Sequence, residues 1–190
     1  MHGKVFLRIV LVAAILLAIA VPLMRNASCA VGYDTYIDPD QKFKFEYPAG
    51  DSISHATLET GGATNYFVAV TDKPSASSFL ALRWADRFKD CPAKDRAART
   101  EVTMSEAVNS LKGKLIHRET VTRLYGPGER QEGTCATHSG ATNFVLEDFV
   151  HGNDLYILQV TGNSEAIDDP KCKHFFESFS NEVDGSEPAK

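Results

Sequence analysis

The sequence predicts an α+β fold, a mostly antiparallel β-sheet flanked by helices on both faces, behind an N-terminal hydrophobic signal helix. Three observations predict it. Two successive strand-length segments, 65–71 and 78–88, are apolar on both sides, as in strands covered front and back. Asn143–Val150 and Leu155–Val160 flank the turn-forming run His151-Gly152-Asn153-Asp154, which predicts an antiparallel hairpin. Helical stripes follow Thr103 and Asp169-Pro170, yet strands otherwise succeed one another without the regular helix alternation of a parallel sheet.

The N-terminus fixes an expected compartment. Lys4 and Arg8 precede an apolar run, Ile9–Met24, which is closed by Arg25 and then by Ser28-Cys29-Ala30. A basic start, an apolar centre and small residues at the last and third-last positions read as a secretory leader, residues 1–30, cut after Ala30. Two alternatives remain. Residues 5–24 approach the ~20 residues of a bilayer span and would make an uncleaved anchor. Ala27-Ser28-Cys29 resembles a lipoprotein box, although Asn26 stands where that motif takes an aliphatic residue. All three place the rest of the chain in an extracytoplasmic space, periplasmic or secreted.

Without the leader, 17 basic residues face 25 acidic ones. The net charge of −8 disfavours nucleic acid or an anionic membrane surface as a partner, so membrane contact is expected only through a retained N-terminal segment. Cys91, Cys135 and Cys172 survive cleavage, an odd number. Export permits one disulfide, for which Cys91–Cys172, both in polar sequence beside Pro or Lys, is the favoured pair; three unbridged thiols are the alternative. A loop of that length would stabilise the fold by about 4 kcal/mol if bridged.

Along the chain, residues 31–41 read as a tether rich in Asp and Tyr, 42–182 as one domain, and 183–190 as a polar tail. Phe43, Phe45 and Tyr47 alternate with Lys44 and Glu46, a half-buried strand ended by Pro48 and Gly50. Ser52–Thr60 is a weaker strand turning at Gly61-Gly62. Leu80, Leu82 and Trp84 repeat at two and make 78–88 a strand rather than a helix. Residues 91–99 read as a polar loop. Thr103-Met104-Ser105-Glu106 resembles a capping box opening a three-turn helix that Gly113 stops. Leu115–Leu124 is strand-like, Tyr125–Gly128 a turn, and Asp169-Pro170 the N-cap and first residue of a helix buried through Phe175, Phe176 and Phe179.

Chemical motifs are sparse. Gly50-Asp51-Ser52-Ile53 resembles the nucleophile block of GDSL-type esterases, with Asp148 to His151 as the sole Asp-x-x-His and no Gly-x-Asn-Asp block. Cys172, His174, Asp168 and Asp169 gather metal donors near a helix start, without the spacing of a zinc site. Glu147 and Asp148 are adjacent on a strand, hence on opposite faces and a poor acid/base pair. The segment Gly126, Pro127, Gly128, Glu129 and Arg130 is the one loop that stands out as a weak binding candidate. Its plain alternative is a tight turn closed by a Glu129–Arg130 surface pair.

In order, these elements resemble the PsbP-like superfamily. Phe43-Lys44-Phe45-Glu46-Tyr47-Pro48 is similar to its aromatic opening strand running into proline. The Leu155–Val160 strand followed by Phe175-Phe176-Glu177-Ser178-Phe179 is similar to its closing strand and helix. Residues 126–130 resemble a Gly-x-Pro-Gly-Arg-Glu-like segment of exported bacterial proteins with a similar plan, here with one spacer absent and Glu129 and Arg130 in reversed order. The resemblance implies an α/β/α sandwich over 41–182 and a non-catalytic module that binds or assembles with an envelope protein, without a cofactor. A secreted hydrolase using Ser52 and a Cys/His metal carrier are the alternative functions.

Overall fold

A computed structural model describes residues 32–60, 63–72, 77–137 and 140–181. The expected leader, residues 1–30, and the expected tail, 183–190, lie outside the described residues. Among the described residues, nine strands and three helices follow in order: β1 (Tyr33–Ile37), β2 (Lys44–Pro48), β3 (Ser52–Thr60), β4 (Ala63–Asp72), β5 (Ser77–Trp84), α1 (Ala93–Ser110), β6 (Lys114–Arg123), β7 (Gly126–Thr137), β8 (Gly140–His151), β9 (Asp154–Gly162), α2 (Ser164–Ile167) and α3 (Pro170–Ser178). β3 to β9 form one antiparallel sheet in the order β3-β4-β5-β9-β8-β7-β6. The predicted α+β class and the β8–β9 hairpin are both present, with Gly152 at φ 61 in its turn.

Strand alternation sorts the apolar side chains into two cores. Val68, Val70, Phe79, Ala81, Val145, Phe149, Tyr156, Leu158 and Val160 point to one face, where Phe175, Phe176 and Phe179 close over them. Phe67, Leu82, Phe144, Leu146, Leu155 and Ile157 point to the other, beneath Met104, Ala107 and Val108 of α1. Each strand of the β8–β9 hairpin thus feeds both layers, which is why its sequence carries no polar face.

Residues 31–41 are not a tether throughout. Tyr33–Ile37 pairs antiparallel with β2, placing Tyr36 opposite Phe45, and this hairpin lies on the same face as α3. Burial of Tyr36 against Phe43 and Phe45, at ring separations of 5.9 and 5.3 Å, accounts for the order. Lys44 and Ser180 exchange backbone hydrogen bonds at 2.8 and 2.9 Å, so the hairpin also bonds to the chain beyond α3.

The helix expected from Thr103 begins ten residues earlier. Residues 93–99 are helical because Ala93, Ala97 and Ala98 favour the conformation while Lys94, Asp95, Arg96 and Arg99 stay near solvent. Thr103, inside the helix, is buried; its hydroxyl donates to the Arg99 carbonyl at 2.9 Å and accepts from Arg87 Nη2 at 3.1 Å. The stop is as expected. Lys112 turns left-handed at φ 51, and the Gly113 N–H donates to the Val108 carbonyl at 2.9 Å. At α3 the Asp169 side chain accepts from Lys171 N at 2.8 Å and Pro170 fills the first turn.

The Cys91–Cys172 bridge is not formed. Both residues, expected in polar loops, are buried, and Cys91 belongs to the α1 core whereas Cys172 belongs to the α3 core across the sheet. A disulfide cannot cross that distance. Burial pushes the Cys135 thiol up and the Cys172 thiol up to about 12, so both are protonated at neutral pH. Under denaturing conditions without reductant, Cys91, Cys135 and Cys172 are expected to take up three equivalents of alkylating agent, and few in the native protein. Two equivalents fewer, by intact mass, would reveal a bridge.

Candidate functional site

The turn between β1 and β2 has the sequence Asp38-Pro39-Asp40-Gln41, a strong turn former. The Asp38 N–H donates to the Phe43 carbonyl at 2.9 Å and the Gln41 N–H to the Asp38 carbonyl at 2.7 Å, with Gln41 left-handed at φ 53. This turn meets the middle of β3 and β4. Between them is a cavity of about 230 Å³ lined by Tyr36, Asp38, Asp40, His55, Thr57 and Tyr66, among others. His55 pairs with Val68 and Thr57 with Tyr66, so both project to the hairpin side of the sheet.

Asp38 is the buried charge of this site, 1% exposed. Its Oδ2 accepts from Lys42 N at 3.3 Å, while Oδ1 finds no hydrogen-bond partner among the described residues. Burial raises its carboxyl above the usual range; the Lys42 N–H and the Arg83 charge pull it back in part. Asp40 accepts from the Tyr66 hydroxyl, which with burial raises the Tyr66 pKa. Arg83, on β5, donates from Nε to Asp154 Oδ2 at 2.7 Å, its Nη1 finds no hydrogen-bond partner among the described residues, and its guanidinium lies 5.0 Å from the Tyr66 ring centre. The arrangement is an acidic, aromatic-walled recess that can hold a ligand offering hydrogen-bond donors.

Sequence reasoning missed this site. Asp38 and Asp40 fell in the expected tether and His55 read as a surface or cross-strand residue. The Asp-Pro-Asp turn just before the Phe43–Tyr47 strand was the available signal, because it marks a hairpin rather than a tether.

The residues singled out from sequence are dispersed. Gly126, at φ 120, and Pro127 open β7, and the segment is strand rather than loop. Glu129 and Arg130 point to opposite faces and do not pair with each other. Glu129 accepts from Gln131 Nε2 at 2.5 Å and from Arg118 Nε at 3.1 Å. Arg130 donates from Nε to Glu132 at 2.7 Å and from Nη1 to Glu147 Oε1 at 2.9 Å, with Phe176 5.4 Å from its guanidinium. Glu147, 1% exposed, also accepts from Arg123 at 2.5 and 3.0 Å and from the Tyr125 hydroxyl at 3.1 Å. Both carboxylate oxygens are therefore saturated, and this cluster holds β6, β7 and β8 together rather than opening to a ligand.

Ser52 begins β3, and its row runs through Thr71, Ser78 and Thr161 to Phe144 on β8. His151 is at the opposite end of β8, so the structure does not bring the Asp-x-x-His to the serine. The metal donors also part: Cys172 is in the aromatic core, His174 Nε2 is 2.6 Å from Glu46 Oε2, and Asp169 caps α3.

Two predictions follow from β7 and β8. A Cβ at Gly128 would meet the Asp148 carbonyl oxygen at 2.1 Å, so Gly128→Ala is expected to lower stability by about 2–3 kcal/mol in denaturant titration. Burial, then the neighbouring Glu129, raises the Asp148 carboxyl from 3.8 to about 7. Between those values the unfolded chain releases a proton that the folded chain keeps, so this group's contribution is full at low pH and is lost as pH rises to 7. Asp148→Asn should remove that slope and gain on the order of 3 kcal/mol over wild type at pH 7, read from unfolding midpoints at pH 4 and 7.

No protein-family model and no curated protein matches this sequence. Solved structures do. The solution structure of cyanobacterial PsbP from Synechocystis sp. PCC 6803 superposes with a TM-score of 0.58 at 14% identity, covering 83% of this chain and 96% of that one. A crystal structure from Bacteroides thetaiotaomicron gives a TM-score of 0.45 at 12% identity; the match covers 81% of this chain and half of that one, 50%. A protein of unknown function from Pseudomonas aeruginosa gives 0.39 at 15% identity, covering 72% and 86%. The seven-stranded antiparallel sheet covered on both faces is thus a PsbP-like fold.

Proposed function

We propose that this protein is an exported, non-catalytic binding module of the periplasm or cell envelope, which takes its ligand in the cavity beneath the β1–β2 turn and works beside an envelope protein. The observation that carries the reading is a cavity of about 230 Å³ whose lining brings Asp38 and Asp40 together with Tyr36 and Tyr66. The basic, apolar and small-residue sequence of positions 1–30 supports export. The groups best suited to attack are poorly placed for it, Cys172 being protonated in the core and Ser52 lying far along the sheet from His151.

Native mass spectrometry of the protein isolated from its own periplasmic fraction tests the reading. The expected species has lost residues 1–30 and carries a bound molecule that Thr57→Trp, which fills the cavity mouth, excludes. Recovery from the cytosol with the leader intact, or ester turnover abolished by Ser52→Ala, would overturn it.

A further inference from the structure

The seven-stranded sheet ends in two unlike edges, β6 and β3. β6 carries devices that keep an edge from pairing with another chain. Lys114, Arg118 and Arg123 lie along it, and its register shifts between Leu115 and His117. β3 has neither. Its nine residues, Ser52–Thr60, include no Lys, Arg or Pro, and they pair with β4 in unbroken register. Among the described residues nothing pairs with the outer side of β3, and Ile53, His55, Thr57 and Glu59 are exposed along it. The β1–β2 turn leaves them open, since Asp40 accepts from the Tyr66 hydroxyl, on β4 rather than β3.

We propose that β3 is a self-association edge, on which a second copy of this chain adds its own β3 antiparallel about a two-fold axis between the two copies of Thr57. A two-fold axis normal to a sheet returns each face to itself. It must therefore pass between two copies of one residue, and opposed side chains share a face. His55, Thr57 and Glu59 share one face of β3, and Ala56 and Leu58 the other. With Thr57 at the axis, His55 stands opposite Glu59 of the second copy, twice, and Ala56 opposite Leu58, twice. Imidazole carries an N–H donor in either protonation state, and the carboxylate accepts it. No other position of the axis opposes these two groups. Centred on His55, the edge would set histidine against histidine; centred on Ala56, it would set Glu59 against Ile53. Leu58 packs against the α1 core, so its contact with Ala56 across the seam extends that core. His55 and Thr57 also line the cavity, so pairing brings two recesses to one seam. Pairing needs no ligand there and stands or falls separately from the proposed function.

Sedimentation of the protein in the form cells accumulate, over about 1 µM to 1 mM, is expected to show a monomer–dimer equilibrium without larger species, because a two-fold contact closes on itself. Glu59→Lys sets lysine against His55 of the second copy, and His55→Glu sets glutamate against Glu59. Each should weaken the dimer by about tenfold, and the two together in one chain, which restore an opposite-charge pair, should recover it. Thr57→Cys should cross-link to its own copy under mild oxidation, since opposed Cβ atoms lie about 5 Å apart. Ser54→Cys should not, its copies being about 20 Å apart in this register. The native thiols are buried and compete little. A monomer at every concentration, a dimer indifferent to Glu59→Lys, or cross-linking of Ser54→Cys as readily as Thr57→Cys would each overturn the proposal. The cross-link decides even where a charge variant fails to fold.

Discussion

The architecture depends on one constraint, a sheet whose central strands are apolar on both faces and so must be covered twice. Burial at about 25 cal/mol per Å² leaves neither face free to meet water. One cover is a single long helix that presents only Met104, Ala107 and Val108 with its neighbours and keeps its first half polar. The other is composite, a β-hairpin beside a short helix, and it is mostly aromatic. Phe43 stacks on Phe179 at 5.8 Å, Phe149 on Tyr156 at 4.9 Å, and Phe45 meets Phe175 edge-on at 5.2 Å. Rings fill the gap between two unlike elements better than branched aliphatics would, because each buries a large area with few torsions fixed.

The composite cover explains the position of the cavity. The β1–β2 turn supplies Asp38 and Asp40 to it, and β3 and β4 supply His55, Thr57 and Tyr66. Asp38 is held in that turn by hydrogen bonds with Lys42 and Phe43. The opposite half of the same face is closed differently, by a saturated carboxylate. Glu147 takes four hydrogen bonds from Arg123, Arg130 and Tyr125, so its burial is compensated in full. Both carboxylate oxygens of Glu147 are thus used, whereas Asp38 Oδ1 has no hydrogen-bond partner among the described residues.

Much of the sheet was legible in the sequence because period-two alternation and turn residues coincide there, as in β8–Gly152–β9 and in the Phe43–Tyr47 strand. The N-cap of α3 was legible for the same reason, a local signal with a local cause. β7 was hidden because Gly128, Gly133 and Thr134 look like loop composition; the two glycines are required by neighbouring backbone and Phe144, a constraint invisible until the strands are laid side by side. The first half of α1 was hidden because nothing in 93–99 faces the core strongly enough to mark a stripe. The cavity was hidden most completely, since Asp38, Thr57 and Tyr66 come from three strands or turns that only the sheet order makes neighbours. The cysteines show the complementary error: sequence surroundings rich in Pro and Lys say little about burial when each thiol turns inward to a different core.

The strand order also divides the sheet into two meanders, β3-β4-β5 and β6-β7-β8-β9, joined along a single line where β5 meets β9. Ser78 and Thr161, partners on that line, are separated by more than eighty positions. The first meander therefore keeps a bare inner edge at β5 throughout chain elongation, and the sheet locks only when the final strand of the second meander arrives. High sequence separation at the seam slows assembly, because loop-closure entropy is lost before any pairing is gained. The sheet therefore closes late, once nearly the whole chain is available to pair.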